Sequence, residues 1–141
     1  MFRRYIDLMT GVLLKVTGIW LVMVVAAILN GLLRDALLTP LMGRALSLPL
    51  SGIMLSGLVL VVAYALIPFI GVMRTGGYLM TGLFWVALTL TFEYMFGHYV
   101  AGKSWHEINE IFNLANGDLF ILVIIVTVLS PWLAARFRGL V

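Results

Sequence analysis

The 141-residue chain contains no cysteine, and only 11% of its residues are charged. The first absence excludes disulfides, thiolate nucleophiles, iron–sulfur ligation and every cysteine-bearing metal site. The second excludes an ordinary soluble fold, in which about a quarter of the residues carry charge. Hydrophobic residues make up 63% of the chain and the mean hydropathy is +1.14. Such side chains can face one another or lipid tails with equal ease, so the composition predicts an integral membrane protein. The formal net charge of +3 comes from basic residues scattered singly near segment ends. That distribution suits orientation against an anionic membrane surface and gives no footprint for nucleic acid.

Four apolar runs organise the sequence, at about 12–33, 51–71, 78–97 and 118–135. Each has about 20 residues, enough to cross a hydrocarbon core of roughly 30 Å as a helix. Arg3 and Arg4 precede the first run as they would in a signal peptide. The run is too long for an ordinary signal sequence and no small-x-small site follows it, so it reads as a retained helix. Ser51 and Asp118 are candidate N-caps for the second and fourth runs. The fold class expected is an all-α four-transmembrane-helix bundle, one domain over residues 1–141. The short turn from Gly71 to Gly77 predicts that the second and third helices are antiparallel neighbours. Gly52 and Ser56, Ala26 and Ala27, and Gly82 are the small residues suited to close helix contacts.

Six basic residues, Arg3, Arg4, Lys15, Arg74, Arg136 and Arg138, fall at one end of the bundle, and Arg34, Arg44 and Lys103 at the other. The positive-inside rule then predicts a multi-pass protein of the cell membrane, an inner membrane in a bacterium, with both termini cytoplasmic. It puts the two long connections, 34–50 and 98–117, outside.

Both connections carry local pattern. Ser104 and Glu107 have capping-box spacing, and Trp105, Ile108, Phe112 and Ala115 recur every three or four residues before Gly117. This predicts a short amphipathic helix in the outer loop between helices three and four. In the first connection Pro40, Gly43 and Pro49 interrupt an apolar stretch, for which an interfacial helix and a shallow re-entrant turn both fit. Residues Met1 to Thr10 read as an interfacial anchor, with Phe2, Tyr5, Ile6 and Met9 on its apolar face and Arg3 spaced to pair with Asp7. Tyr94, Tyr99, Trp105 and Trp132 suit the membrane interfaces, whereas Trp20 and Trp85 lie deep enough to pack inside.

The chemistry concentrates near the outer helix ends. Glu93 lies about four residues inside the third run, where a carboxylate must be paired, protonated or hydrated. Asn30 and Arg34 are one helical turn apart at similar depth on the first run. Asp35, Arg44, His98 and Tyr99 are close enough in sequence to join them. The candidate ligand or ion pathway is therefore Asn30, Arg34, Glu93, His98 and Tyr99. The purely structural alternative is an Arg34–Glu93 ion pair tying helix one to helix three. A metal site has only His98, His106, Glu107 and Glu110 to draw on, with His98, His106 and Glu110 the candidate ligands, and His106-Glu-Ile-Asn-Glu110 lacks the second histidine of the zinc-protease motif. Ser47, Ser51 and Ser104 have no nucleophile-elbow context, and Gly76-Gly77 has no phosphate-loop spacing. No catalytic residue is designated and no cofactor is expected.

Intramembrane ionisable groups often mark solute or proton routes. The leading functional expectation is thus a small transport or proton-conducting membrane protein, or a subunit of one. Helices two and four offer few polar residues, Ser56, Tyr64, Thr127 and Ser130, so an outer vestibule fits better than a continuous pore. Expected partners are membrane lipid, further copies of the chain or a hetero-complex, and a small solute, proton or lipid headgroup. An accessory or assembly protein that binds a partner or lipid through its outer cap is the alternative, and a membrane enzyme comes third. No motif ties the chain to a known family.

Overall fold

A computed structural model describes residues 2–141. Met1, which belongs to the expected N-terminal anchor, lies outside the described residues. The chain folds as α1 (Phe2–Met42), α2 (Arg44–Phe69), α3 (Thr75–Tyr99), α4 (Trp105–Asn109) and α5 (Phe120–Phe137). Helices α1, α2, α3 and α5 are long and apolar enough to cross a membrane. The molecule is a multi-pass, all-α membrane bundle with a short helical cap between its third and fourth spans.

The 34–50 connection is neither a separate surface helix nor a re-entrant loop. It is the continuation of α1 and α2 up to a single-residue corner at Gly43. After Leu33 the α1 backbone widens into a π turn, Arg34–Leu38, and resumes as Thr39–Met42. Pro40 is tolerated because it occupies the first turn of that resumed stretch, where a missing N–H costs little. Gly43, at φ 81° and ψ 161°, holds a conformation that is essentially restricted to glycine. The Thr39 and Ser47 hydroxyls meet at 2.8 Å across the corner and pin it. The N-terminal segment is likewise continuous with α1, and Arg3 makes no ion pair with Asp7.

The packing order also differs from the expectation that helices two and three are neighbours. α5 sits between α2 and α3, which barely touch despite the short turn joining them. Two glycines explain this. A Cβ at Gly82 would stand 2.0 Å from the Val128 carbonyl oxygen, so α3 and α5 meet backbone to backbone. At Gly52 a Cβ would stand 2.8 Å from Leu119 Cβ, so the residue that leads into α5 also packs tightly on α2. α1 leans mainly on α2 and makes only a thin seam with α3.

The half of the bundle near the termini is filled. Ile67, Ala63, Tyr78, Trp85 and Ala135 are fully buried there, with Trp85 Nε1 donating to Val16 O at 2.9 Å. The Tyr78 hydroxyl holds the α2–α3 turn, donating to Gly71 O at 3.0 Å and accepting from the Met73 amide at 3.2 Å. Pro131 interrupts the hydrogen bonding of α5, and the carbonyl it leaves, Thr127 O, accepts from Ser130 Oγ at 2.9 Å instead.

Candidate functional site

One stripe of α3 runs from the filled half into the open one: Gly77, Thr81, Trp85, Thr89, Glu93 and Gly97 recur every four residues and so share a face. At mid-depth Thr89 Oγ1 donates to Trp85 O at 2.8 Å and accepts from Trp20 Nε1 at 3.0 Å, a polar link between α1 and α3 beside that of Trp85 to Val16. One turn further along, Glu93 reaches the floor of a cavity of about 550 Å³. Gly97 then gives the room in which Ile108 of the cap packs, 2% exposed.

The cavity draws its walls from every part of the open half. α1 contributes Asn30 and Arg34, α2 contributes Arg44 and Ser51, and the segment from α3 to α5 contributes Lys103, Glu110 and Asp118. Arg44, Lys103 and Glu110 are exposed, so the space communicates with the end of the bundle. Asn30, 4% exposed, is fully engaged: its Nδ2 donates to Ser51 O at 2.9 Å and its Oδ1 accepts from Ser51 Oγ at 2.8 Å. That pair clamps α1 to α2.

The charges do not neutralise one another across the cavity. Arg34 Nε turns to its neighbour Asp35, 3.1 Å away, and no Arg34–Glu93 bridge forms. Among the described residues Glu93, Arg44 and Lys103 make no ion pair and no side-chain hydrogen bond. Asp118 accepts, among the described residues, only the Phe120 amide, at 3.2 Å, and so supports the start of α5 from one residue outside its N-cap, Leu119. Partial burial holds the Asp118 carboxyl above its ordinary pKa, against the opposing pull of the Phe120 amide and of Arg34, Arg44 and Lys103.

The cap keeps its shape by its own contacts. Ser104 and Glu107 form the expected capping box, but the helix they start stops at Asn109. It gives way to two 3₁₀ turns, Glu110–Phe112 and Leu114–Asn116, separated by an extended Asn113. Glu110 gathers this second part by accepting from Asn113 and Asn116 at 3.1 and 3.2 Å. Gly117 turns the chain with φ 85°, and a Cβ there would meet Pro49 Cδ at 3.3 Å, so the cap docks on α2.

His98 and Tyr99 stand outside the cavity wall. His98 stacks on Trp105 with ring centroids 3.9 Å apart, and its Nδ1 contacts Lys103 O at 2.9 Å; Tyr99 packs edge-on against both rings. They fix the turn that presents Lys103. His106 and Glu110 share a face at 3.7 Å, but His98 is committed elsewhere, and no group of three potential metal ligands converges among the described residues. Of the five pathway candidates the cavity therefore unites Asn30, Arg34 and Glu93. It adds Arg44, Lys103 and Asp118, which sequence reasoning used only for nearby charge, topology and capping. Their common signal was position, since each lies within a residue or two of a helix end or tight turn. The chain matches no protein-family model, no curated protein and no solved structure.

Proposed function

We propose that the protein is a small membrane transport protein, or a subunit of one, that accepts a small polar solute or proton in its polar vestibule. The observation that carries this reading is Glu93: an acidic group on a spanning helix, at the floor of a 550 Å³ cavity, with no ion-pair partner among the described residues. A carboxylate retained in an apolar helix without a structural partner is placed to meet something that arrives. The filled half below it closes the route in this conformation, so passage requires that half to open or a second subunit to complete the path. The six-to-three excess of basic residues at the terminal end supports cytoplasmic termini and an outward-facing vestibule.

The test is flux in reconstituted vesicles carrying a trapped pH-sensitive dye or candidate solute. Glu93→Gln preserves shape and should lower flux at least tenfold while leaving thermal unfolding unchanged. Equal flux in both proteins would sink the reading. For orientation, a cysteine replacing Lys103 should react with an impermeant reagent from outside and one replacing Arg74 should not. The second reading, an accessory protein whose cap binds a partner or lipid, draws its support from the filled lower half. A folded protein without flux, alone or in assembly, would favour it.

A further inference from the structure

Beside the polar vestibule, a row of apolar cavities reaches the flank of the bundle. Directly below the vestibule lies a small apolar pocket of about 50 Å³ that shares Ala27, Leu55, Glu93, Phe120 and Val123 with its wall. That pocket in turn shares Trp20 and Phe92 with a groove of about 460 Å³ on the flank of α1 and α3, where Leu88, Met95 and Phe96 continue an almost wholly apolar lining. The flank belongs to two membrane-crossing helices, so lipid is the medium outside it. The seam it crosses is much thinner than the one between α1 and α2. At this depth it is held by the Trp20–Thr89 hydrogen bond and by the edge-on contact of Trp20 with Phe92, centroids 6.1 Å apart, and deeper in the bundle by the Trp85–Val16 hydrogen bond. Charged vestibule, apolar pocket and lipid-facing groove are thus neighbours, with Glu93 in the wall between the first two and Trp20 and Phe92 in the wall between the last two.

Resting on the vestibule's role as the binding chamber, we propose that its substrate class is a zwitterionic phospholipid. Its headgroup occupies the vestibule, and one acyl chain passes between α1 and α3 into the Trp20–Phe92–Phe96 groove. The charges argue for a headgroup of both signs. Arg44, Lys103 and the terminal nitrogens of Arg34 are available for a phosphate near the rim, while Glu93 and Asp118 are available for an ammonium group. A purely anionic head would face Glu93 and Asp118, with Glu107 and Glu110 also in the wall, and a purely cationic head would face three cations. The groove explains why the ligand has a tail: a water-soluble solute has no use for an apolar exit beneath its charged site. Both cavities fall in the size range of specific small-molecule sites.

Native mass spectrometry of the full chain, with lipids added singly, tests this. Phosphatidylethanolamine should be retained at least tenfold better than phosphatidylglycerol and than soluble glycerophosphoethanolamine. The double variant R44Q/K103Q, at two exposed side chains without ion pairs, should lose at least tenfold in retention while unfolding at the parent temperature. E93Q should narrow the preference for the ethanolamine lipid over the glycerol lipid. Retention unchanged in R44Q/K103Q would identify ordinary boundary lipid and overturn the proposal. Binding of the soluble headgroup as tightly as the lipid would overturn the lateral route, yet leave a vestibule that takes a polar solute. Loss of the transport reading itself is registered separately, by vesicle flux that does not respond to E93Q.

Discussion

The two halves of this bundle use the same four helices in opposite ways. Near the termini, apolar side chains and a few internally satisfied polar groups fill the space, with Tyr78 and Trp85 fully buried. Towards the Gly43 corner and the cap, the helices surround a cavity whose charged residues leave one another largely unpaired. Four turns of a single α3 stripe cross from one regime to the other, from Thr81 to Gly97. Polar residues are present in both halves, so polarity alone does not make a site. Thr81, Thr89 and Thr127 return their hydroxyls to carbonyls one turn back and are spent locally. Glu93 has no such outlet, and that separates the two regions.

The contrast can be broken most severely at Gly82. Gly82→Ala would drive a methyl group into the Val128 backbone and should cost about 3 kcal/mol or more, because neither helix can yield without moving the other. Thermal unfolding or steric trapping in bicelles reads this, with Gly57→Ala as control: nothing lies within 4 Å of its Cβ, and stability should hold. Next comes Tyr78→Phe, which strips the α2–α3 turn of two hydrogen bonds and should cost about 1–3 kcal/mol without altering vestibule binding. Asn30→Ala sharpens the comparison from the other side. It lines the vestibule yet should behave like a residue of the filled half, losing about 1–3 kcal/mol with its Ser51 pairing. By contrast Arg44→Gln should stay within about 0.5 kcal/mol of the parent.

A small effect that depends on pH is expected at Asp118. Its raised pKa means that the folded state favours the protonated carboxyl. The resulting stability is fully present below the unfolded pKa and is lost as pH rises through the folded value. Asp118→Asn keeps an acceptor for the Phe120 amide and removes the titration, so it should match or slightly exceed the parent at neutral pH with a flatter pH profile. Asp118→Ala also loses the acceptor and should fall by about 1 kcal/mol.

The four spans were legible because about 20 apolar residues in a row have few other uses in a 141-residue chain. The Ser104–Glu107 capping box was legible because its chemistry is local. The Gly43 corner was not. Pro40, Gly43 and Pro49 look alike as helix breakers, yet only Gly43 turns the chain: Pro40 falls in the first turn of its stretch, where the lost amide matters least, and α2 continues through Pro49 despite the amide it lacks. The order of the helices was hidden for a different reason. A short turn implies adjacency, and only the three-dimensional fit of Gly82 to Val128 and of Gly52 to Leu119 inserts α5 between α2 and α3. At the site, depth along the helices correctly grouped Asn30, Arg34 and Glu93 in one layer. Depth carries no azimuth, so it could not foresee that Arg34 would turn to Asp35, or that His98 and Tyr99 would face Trp105.

The π turn that follows Leu33 accommodates one residue more than an α turn would, with the Thr39 amide reaching back to Arg34 O. Tightening it into regular α geometry would rotate everything beyond it by about 100° around the helix axis. Arg34 would stay with the bundle, while Asp35, the Gly43 corner and the first turn of α2 with Arg44 would swing as one piece. The one extra residue of the π turn thus sets the azimuth at which the Gly43 corner and Arg44 stand relative to Arg34 at the vestibule mouth.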